Sequence, residues 1–217
     1  MKLATAACLV AVALLAHAPA FDGTYTYDDH VIVEQNPRLV VRSADDLVEL
    51  VRSNYWGEAS ARSGEKLFRP VPLVTYALER AIVGGPNATF ARAVNVVLHA
   101  LTALVAFALF AQVSRDERTA LFAAALFAAH PLHSEAVAGI VGRAEVLALL
   151  FGLGALVLHG RGTWRAAPLA GLLFLLALGS KESAIALLPI AVARDLLERH
   201  DRARRYPVLG ALALALA

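Results

Sequence analysis

The chain has 217 residues, 59% of them apolar and 18% charged, with 20 Lys/Arg against 18 Asp/Glu and one cysteine, Cys8. A soluble globular chain is nearer half apolar and a quarter charged, so this balance leans towards lipid and excludes disorder and collagen. A lone cysteine with no CxxC or Cys/His zinc pattern excludes a disulfide scaffold, and a net charge of +2 is too small for a nucleic-acid surface.

In chain order, the first apolar run extends from Leu3 to about Ala20 behind Lys2. Ala16-His17-Ala18 has the small-x-small form of a signal cleavage site, but Pro19 follows directly, which is a poor context for cleavage. The run is read as a retained transmembrane helix over 1–20, with an uncleaved signal anchor as the alternative. Residues 21–90 then hold seven Lys/Arg and ten Asp/Glu, an acidic and water-compatible stretch. Arg69-Pro70 and the apolar residues after it predict an interfacial helix near 70–83.

From residue 91 onward, apolar runs alternate with short charged punctuation. The candidate spans are about 93–112, 119–130, 145–159, 166–180 and 184–198, with an unfinished one from Pro207 to Ala217. Several fall short of the ~20 residues that cross a hydrocarbon core. The last is about eleven residues long, which suggests a fragment of a longer protein truncated at its C-terminus. The expected fold class is an all-α, multi-pass membrane protein with a large first extracytoplasmic loop.

Short loops rich in Lys/Arg stay cytoplasmic. With Lys2 inside, the inward loops carry Arg115 and Arg118, then Arg161 and Arg165, then Arg194, Arg199, Arg202, Arg204 and Arg205. The outer face thus receives 21–90, the turn His130-Pro-Leu-His-Ser-Glu135, the segment Arg143-Ala-Glu145 and the turn Ser180-Lys-Glu-Ser183. Ionisable residues in or beside spans are costly and mark sites by default.

Each cluster has a functional and a plain reading. Asp28 and Asp29 could supply a general base, with the second acid raising its neighbour's pKa or holding a divalent cation; a solvated turn is the plain alternative. His130, His133 and Glu135 invite a zinc reading, yet Pro131 prevents a regular helix from aligning them, so a polar re-entrant turn is preferred. Arg143 could clamp a phosphate oxygen, or pair with Glu135 or Glu145. Lys181 could meet a lipid phosphate, pair with Glu182, or snorkel. Asn87-Ala-Thr89 matches an N-glycosylation acceptor, and His99, one turn from Asn95, suits an interhelical hydrogen bond.

The order of these motifs resembles the membrane half of the tetratricopeptide-repeat-containing transmembrane O-mannosyltransferases, within the polytopic GT-C glycosyltransferases. The resemblance rests on Tyr27-Asp-Asp-His30 with Asn36-Pro37, Asn54-Tyr-Trp-Gly57, Phe68-Arg-Pro70, Ala93–His99, Ala129–Glu145 and Ser180-Lys-Glu182. It covers about 21–200, and the 129–145 stretch is its most specific part. It implies a GT-C-like helical bundle that moves a sugar, mannose in the family, from a polyprenyl phosphate of dolichyl or undecaprenyl type to a hydroxyl acceptor, protein Ser/Thr in the family. Transfer would occur at the extracytoplasmic face by inverting displacement. The acidic pair that carries the catalytic carboxylate maps onto Asp28 and Asp29. Donor-phosphate binding is expected from Arg143 first, then Lys181 and His133, with His130, Glu135, Glu145, Glu182 and Arg69 in support.

No cofactor is required by this reading, although a divalent cation could assist at Asp28 and Asp29. Two departures stand out: the repeats are absent from these 217 residues, and Glu145 occupies a position where Asp is more usual. The alternative function is a transporter or flippase for a polyprenyl-linked sugar, which would use the same cations without chemistry. The Ala- and Arg-rich bias suits a bacterial inner membrane, or the endoplasmic reticulum membrane in a eukaryote.

Overall fold

A computed structural model describes residues 1–57 and 66–198. Among these residues the chain is helical without strands: α1 (Leu3–Ala16), α2 (Ala44–Arg52), α3 (Pro70–Val83), α4 (Ala88–Ser114), α5 (Glu117–Ala129), α6 (Ser134–Ala138), α7 (Arg143–Arg161), α8 (Ala167–Leu178) and α9 (Leu187–Glu198). Short 3-10 turns and one π-helical turn at His30–Glu34 join them. The expected final run from Pro207, and Arg199, Arg202, Arg204 and Arg205 of the third inward loop, lie outside the described residues.

Local chemistry sets the boundaries. Ser43 and Asp46 form a capping box that starts α2. Pro70 opens α3, and Gly84, at φ 80°, ends it in the left-handed conformation that glycine adopts without cost. Asn87 caps α4 by accepting from the Phe90 N–H at 2.9 Å, and Asp116 caps α5 by accepting from the Thr119 N–H at 2.7 Å. Pro131 stops α5 at Ala129, as its sequence position requires.

α4 is the axis of the bundle, packing against α1, α5 and α7, while α7 packs on α8. At 27 residues α4 is about 40 Å long, and α7, at 19 residues, about 28 Å. These two are long and apolar enough to cross a membrane, whereas α1 and α8 are apolar but shorter. α1 stops at Ala16, short of the expected 20, because a 3-10 turn over Ala18–Asp22 follows.

Small residues make the close contacts of α5. α5 buries Ala120, Ala124 and Ala128 completely, each one turn apart, and turns Phe122 (73% exposed) and Leu126 (57%) outward. Ala13, Ala100 and Ala103 continue the same close seam. Small residues at a helix contact let the backbones approach closely, while elsewhere the core holds large side chains, Leu9, Phe107, Leu147 and Phe174 among them.

Long-range polar contacts fix opposite ends. At one, His17 and His99 both hydrogen-bond the Ala128 carbonyl through Nε2 (3.2 and 3.1 Å), which is the interhelical role anticipated for His99. At the other, Gln112 donates to the Val157 carbonyl (3.1 Å), Arg194 to Gln112, and His159 meets Asp195. The segment 23–57 with α3 packs on the first end through a second core built on Ile32, Leu39, Leu50, Tyr55, Leu73 and Tyr76. Residues 23–57 and α3 are therefore a folded cap.

Candidate functional site

The two adjacent aspartates have opposite environments. Asp29 is buried, and its carboxylate is fully engaged: Oδ2 accepts from the Thr26 N–H and hydroxyl (both 3.2 Å) and Oδ1 from the Val141 N–H (3.0 Å). It pins the 24–29 loop to the turn before α7. Asp28 is exposed and has no hydrogen-bond partner among the described residues. The preceding Tyr27 sits at φ 44°, a left-handed conformation uncommon for a residue with a side chain, and is 93% exposed. Strain of this kind persists only where the surroundings hold it, here the Asp29 clamp one step along.

A buried polar lattice sets the second wall. Arg143 is completely buried: its Nε donates to Asn95 Oδ1 (2.7 Å), Nη1 to Thr75 Oγ1 (3.2 Å) and to Glu79, and Nη2 to the Ala91 carbonyl (2.8 Å). Its guanidinium lies 4.5 Å from the Tyr76 ring centroid. Asn95 in turn donates to the Gly139 carbonyl (2.9 Å), and Tyr76 to the Ile140 carbonyl (3.0 Å). Burial raises the Glu79 carboxyl above the usual range, opposed by the Arg143 charge. Arg143, expected to hold the donor phosphate, is instead a brace with its guanidinium consumed inside the protein. Its ion-pair partner is Glu79, and neither Glu135 nor Glu145.

Between the two walls lies a cavity of about 330 Å³, bounded among others by Asp28, Tyr55, Trp56, Arg69, Glu135 and Glu145. That volume is at the lower end for a small-molecule site. Arg69 is the one cation lining it among the described residues. Its guanidinium grips Glu182 with two bonds, Nε to Oε2 (3.0 Å) and Nη2 to Oε1 (2.6 Å), and sits 5.3 Å from the Tyr55 ring centroid. Those bonds hold the Glu182 carboxyl below the usual carboxylate range. Lys181 pairs with Glu145, not with its neighbour Glu182. Burial pushes the Tyr55 phenol up to about 12, so it stays a protonated group at any ordinary pH.

The histidines stand apart from this cavity. His133 packs on Phe127 (ring centroids 4.5 Å), His99 (5.2 Å) and His130 (6.0 Å), and burial lowers its pKa. His130 is exposed, and its Nδ1 accepts from the Leu132 N–H (3.2 Å). Of the expected donor-phosphate residues, none of Arg143, Lys181 and His133 lines the cavity, and Lys181 meets it only through its pair with Glu145. Of the supporting set, Arg69, Glu135 and Glu145 line the cavity, Glu182 meets it through Arg69, and His130 does not.

The acidic pair does not present two free carboxylates to a cation, because both oxygens of Asp29 already accept hydrogen bonds. Among the described residues no group of three or more His, Cys, Asp or Glu has metal-holding geometry. The described residues do not form a ready divalent site.

Sequence reasoning passed over Arg92, which is buried and ties the Gly23, Thr24 and Ala138 carbonyls together. An arginine just inside an apolar run is itself a signal, since such a charge persists only with partners. Glu79, Tyr55 and Trp56 carry no comparable signal in the sequence.

No family model matches the chain, and no solved structure matches it. Curated relatives do. A protein O-mannosyl-transferase of Caenorhabditis elegans is 32% identical over 193 residues, covering 87% of this chain and 27% of that protein. Protein O-mannosyl-transferase TMTC1 of Homo sapiens is 36% identical over 159 residues, 72% of this chain and 18% of the relative. Its counterpart in Drosophila melanogaster is 32% identical over 192 residues, 86% and 22% respectively. The chain thus spans about a fifth to a quarter of the length of these relatives.

Proposed function

We propose that this chain, whose curated relatives are the same O-mannosyl-transferases that its motifs resemble, is the donor-binding membrane portion of a glycosyltransferase. Its donor would be a polyprenyl-phosphate sugar and its acceptor a hydroxyl group on a protein. Mannose and Ser/Thr are the reading that the relatives' names favour. Those relatives are animal proteins, which favours the endoplasmic reticulum membrane; nothing in the comparisons supports the bacterial inner membrane.

The observation that carries the proposal is one cavity lined by both an unpartnered carboxylate, Asp28, and a cation, Arg69, with Lys181 paired to the lining residue Glu145. The acceptor oxygen would attack the anomeric carbon as its proton passes to Asp28. The bond from that carbon to the phosphate oxygen would break, its electron pair leaving with the lipid phosphate. A positioned general base contributes ~10²–10⁴ in rate. Cations at the departing phosphate stabilise the charge that develops there. A single displacement needs one catalytic carboxylate, consistent with Asp29 being occupied elsewhere.

The test is sugar transfer from a polyprenyl-phosphate mannose to a Ser/Thr peptide, using chain extended to the length of the relatives and reconstituted in liposomes. Asp28→Asn should lower transfer by two to four orders of magnitude while the protein stays folded, because Asp28 is exposed and unpartnered. Movement of the donor across the bilayer is measured in the same liposomes. Movement without transfer, insensitive to Asp28→Asn, would replace the transferase reading by the transporter one.

A further inference from the structure

The two kinds of ion pair in this molecule differ in a way that points to use. In Arg143–Glu79 both partners are enclosed, with side chains 0% and 12% exposed. At the cavity rim the cations are held and the anions are loose. Arg69 is 14% exposed against 62% for Glu182, and Lys181 24% against 47% for Glu145. The Arg69 guanidinium is held beside the Tyr55 ring, while its partner Glu182 is largely exposed. The two glutamates are also matched to the cations in a crossed pattern: neighbours Lys181 and Glu182 each turn to a partner on a different element, Glu145 at the head of α7 and Arg69 before α3. A backbone bond from the Val71 N–H to the Gly179 carbonyl (3.1 Å) anchors the same turn.

We propose that Glu182 and Glu145 are place-holders for the donor's phosphate, occupying Arg69 and Lys181 until that phosphate displaces them. This rests on the donor reading above and adds how the site is kept before the donor arrives. The Arg69 fork engages both oxygens of Glu182, which is the way a guanidinium takes two oxygens of a phosphate. A partly enclosed cation without a counter-charge is costly, and an exposed carboxylate supplies one while giving it up to water readily. The rest of the cavity is acidic, with Asp28, Asp29, Glu135 and Glu145 on its wall. A phosphate therefore meets a cation on the cavity wall at Arg69, with Lys181 behind Glu145, and the attached sugar is left in the cavity that Asp28 also lines. The turn 179–182 acts as a strap whose charges exchange partner when donor binds.

The experiment measures binding of farnesyl phosphate, a polyprenyl monophosphate, to the full chain in detergent, with inorganic phosphate in a parallel arm. Wild type should bind farnesyl phosphate. Glu182→Gln and Glu145→Gln, tested separately, should each tighten binding about three- to tenfold by removing the competing carboxylate. Arg69→Gln and Lys181→Gln should each weaken it at least tenfold. If inorganic phosphate shows the same pattern at lower affinity, the shared phosphate chemistry and the lipid's added contribution are both read directly. Equal affinity for the two probes would place the preference in the phosphate alone and still support the exchange. Unchanged or weakened binding in both Glu→Gln variants overturns the place-holder role while leaving donor binding intact. No binding by wild type or any variant overturns the donor reading itself.

Discussion

Replacing Arg143 by Met removes a completely buried charge and leaves Glu79, only 12% exposed at its side chain, without its partner. The arginine makes bonds to Asn95, Thr75, Glu79 and the Ala91 carbonyl, and lies against the Tyr76 ring. Summed singly, at ~1.5–3 kcal/mol for bonds to charged groups, these would exceed any plausible total, because one side chain makes them all. The better guide is removal of one partner from a buried pair, which costs about 3–5 kcal/mol. Arg143→Met should therefore lower the stability of the detergent-solubilised protein by that amount in equilibrium unfolding. Most of the loss should return in Arg143→Met/Glu79→Gln, where no uncompensated charge is buried.

The pH dependence has a definite sign. Burial raises the Glu79 carboxyl in the folded protein, so its contribution to stability is fully present below the ordinary Glu range. That contribution is lost as pH rises through the raised value. Without Arg143 the shift grows, so the single variant should recover as the pH falls towards the Glu range, and the double variant should not respond. A stability change under about 0.5 kcal/mol in Arg143→Met, with donor binding lost, would refute the brace and return Arg143 to the phosphate.

Asp29→Asn should behave unlike Asp28→Asn. It weakens three accepted bonds, two from Thr26 within the 24–29 loop and one from Val141 across to it, at a cost of ~1.5–3 kcal/mol, seen as faster hydrogen exchange across 24–30 and 139–142. Gly142→Ala should loosen the turn before α7, since the added Cβ would run into the Ala136 backbone; overpacking of this kind costs ~1–3 kcal/mol and would appear as proteolysis between α5 and α7. In a Cys8→Ala background, single cysteines at Thr26, Ser134 and Ser183 should react with an impermeant thiol reagent from one side of the membrane and one at Ser114 from the other. Labelling of the first three from both sides would separate Asp28 from Lys181 and end the shared-site mechanism.

The sequence by itself determined the helical class, the break at Pro131 and the grouping of Asp28, Glu135, Glu145 and Lys181 at one end of the bundle. Apolar runs of helical length and a missing N–H at proline are local signals, and both survive into the structure in the described residues. Tertiary structure alone decided which aspartate is free, because two adjacent identical residues differ only in what a segment more than a hundred positions away brings to them: the Val141 N–H claims Asp29. It decided equally that Arg143 belongs to Glu79 and Asn95 while Arg69 faces the cavity. An arginine's side chain reaches far enough to choose among several partners, and the desolvation of the place where it lands selects the partner. That environment is assembled from distant elements, and no reading of the residues beside Arg143 or Arg69 contains it.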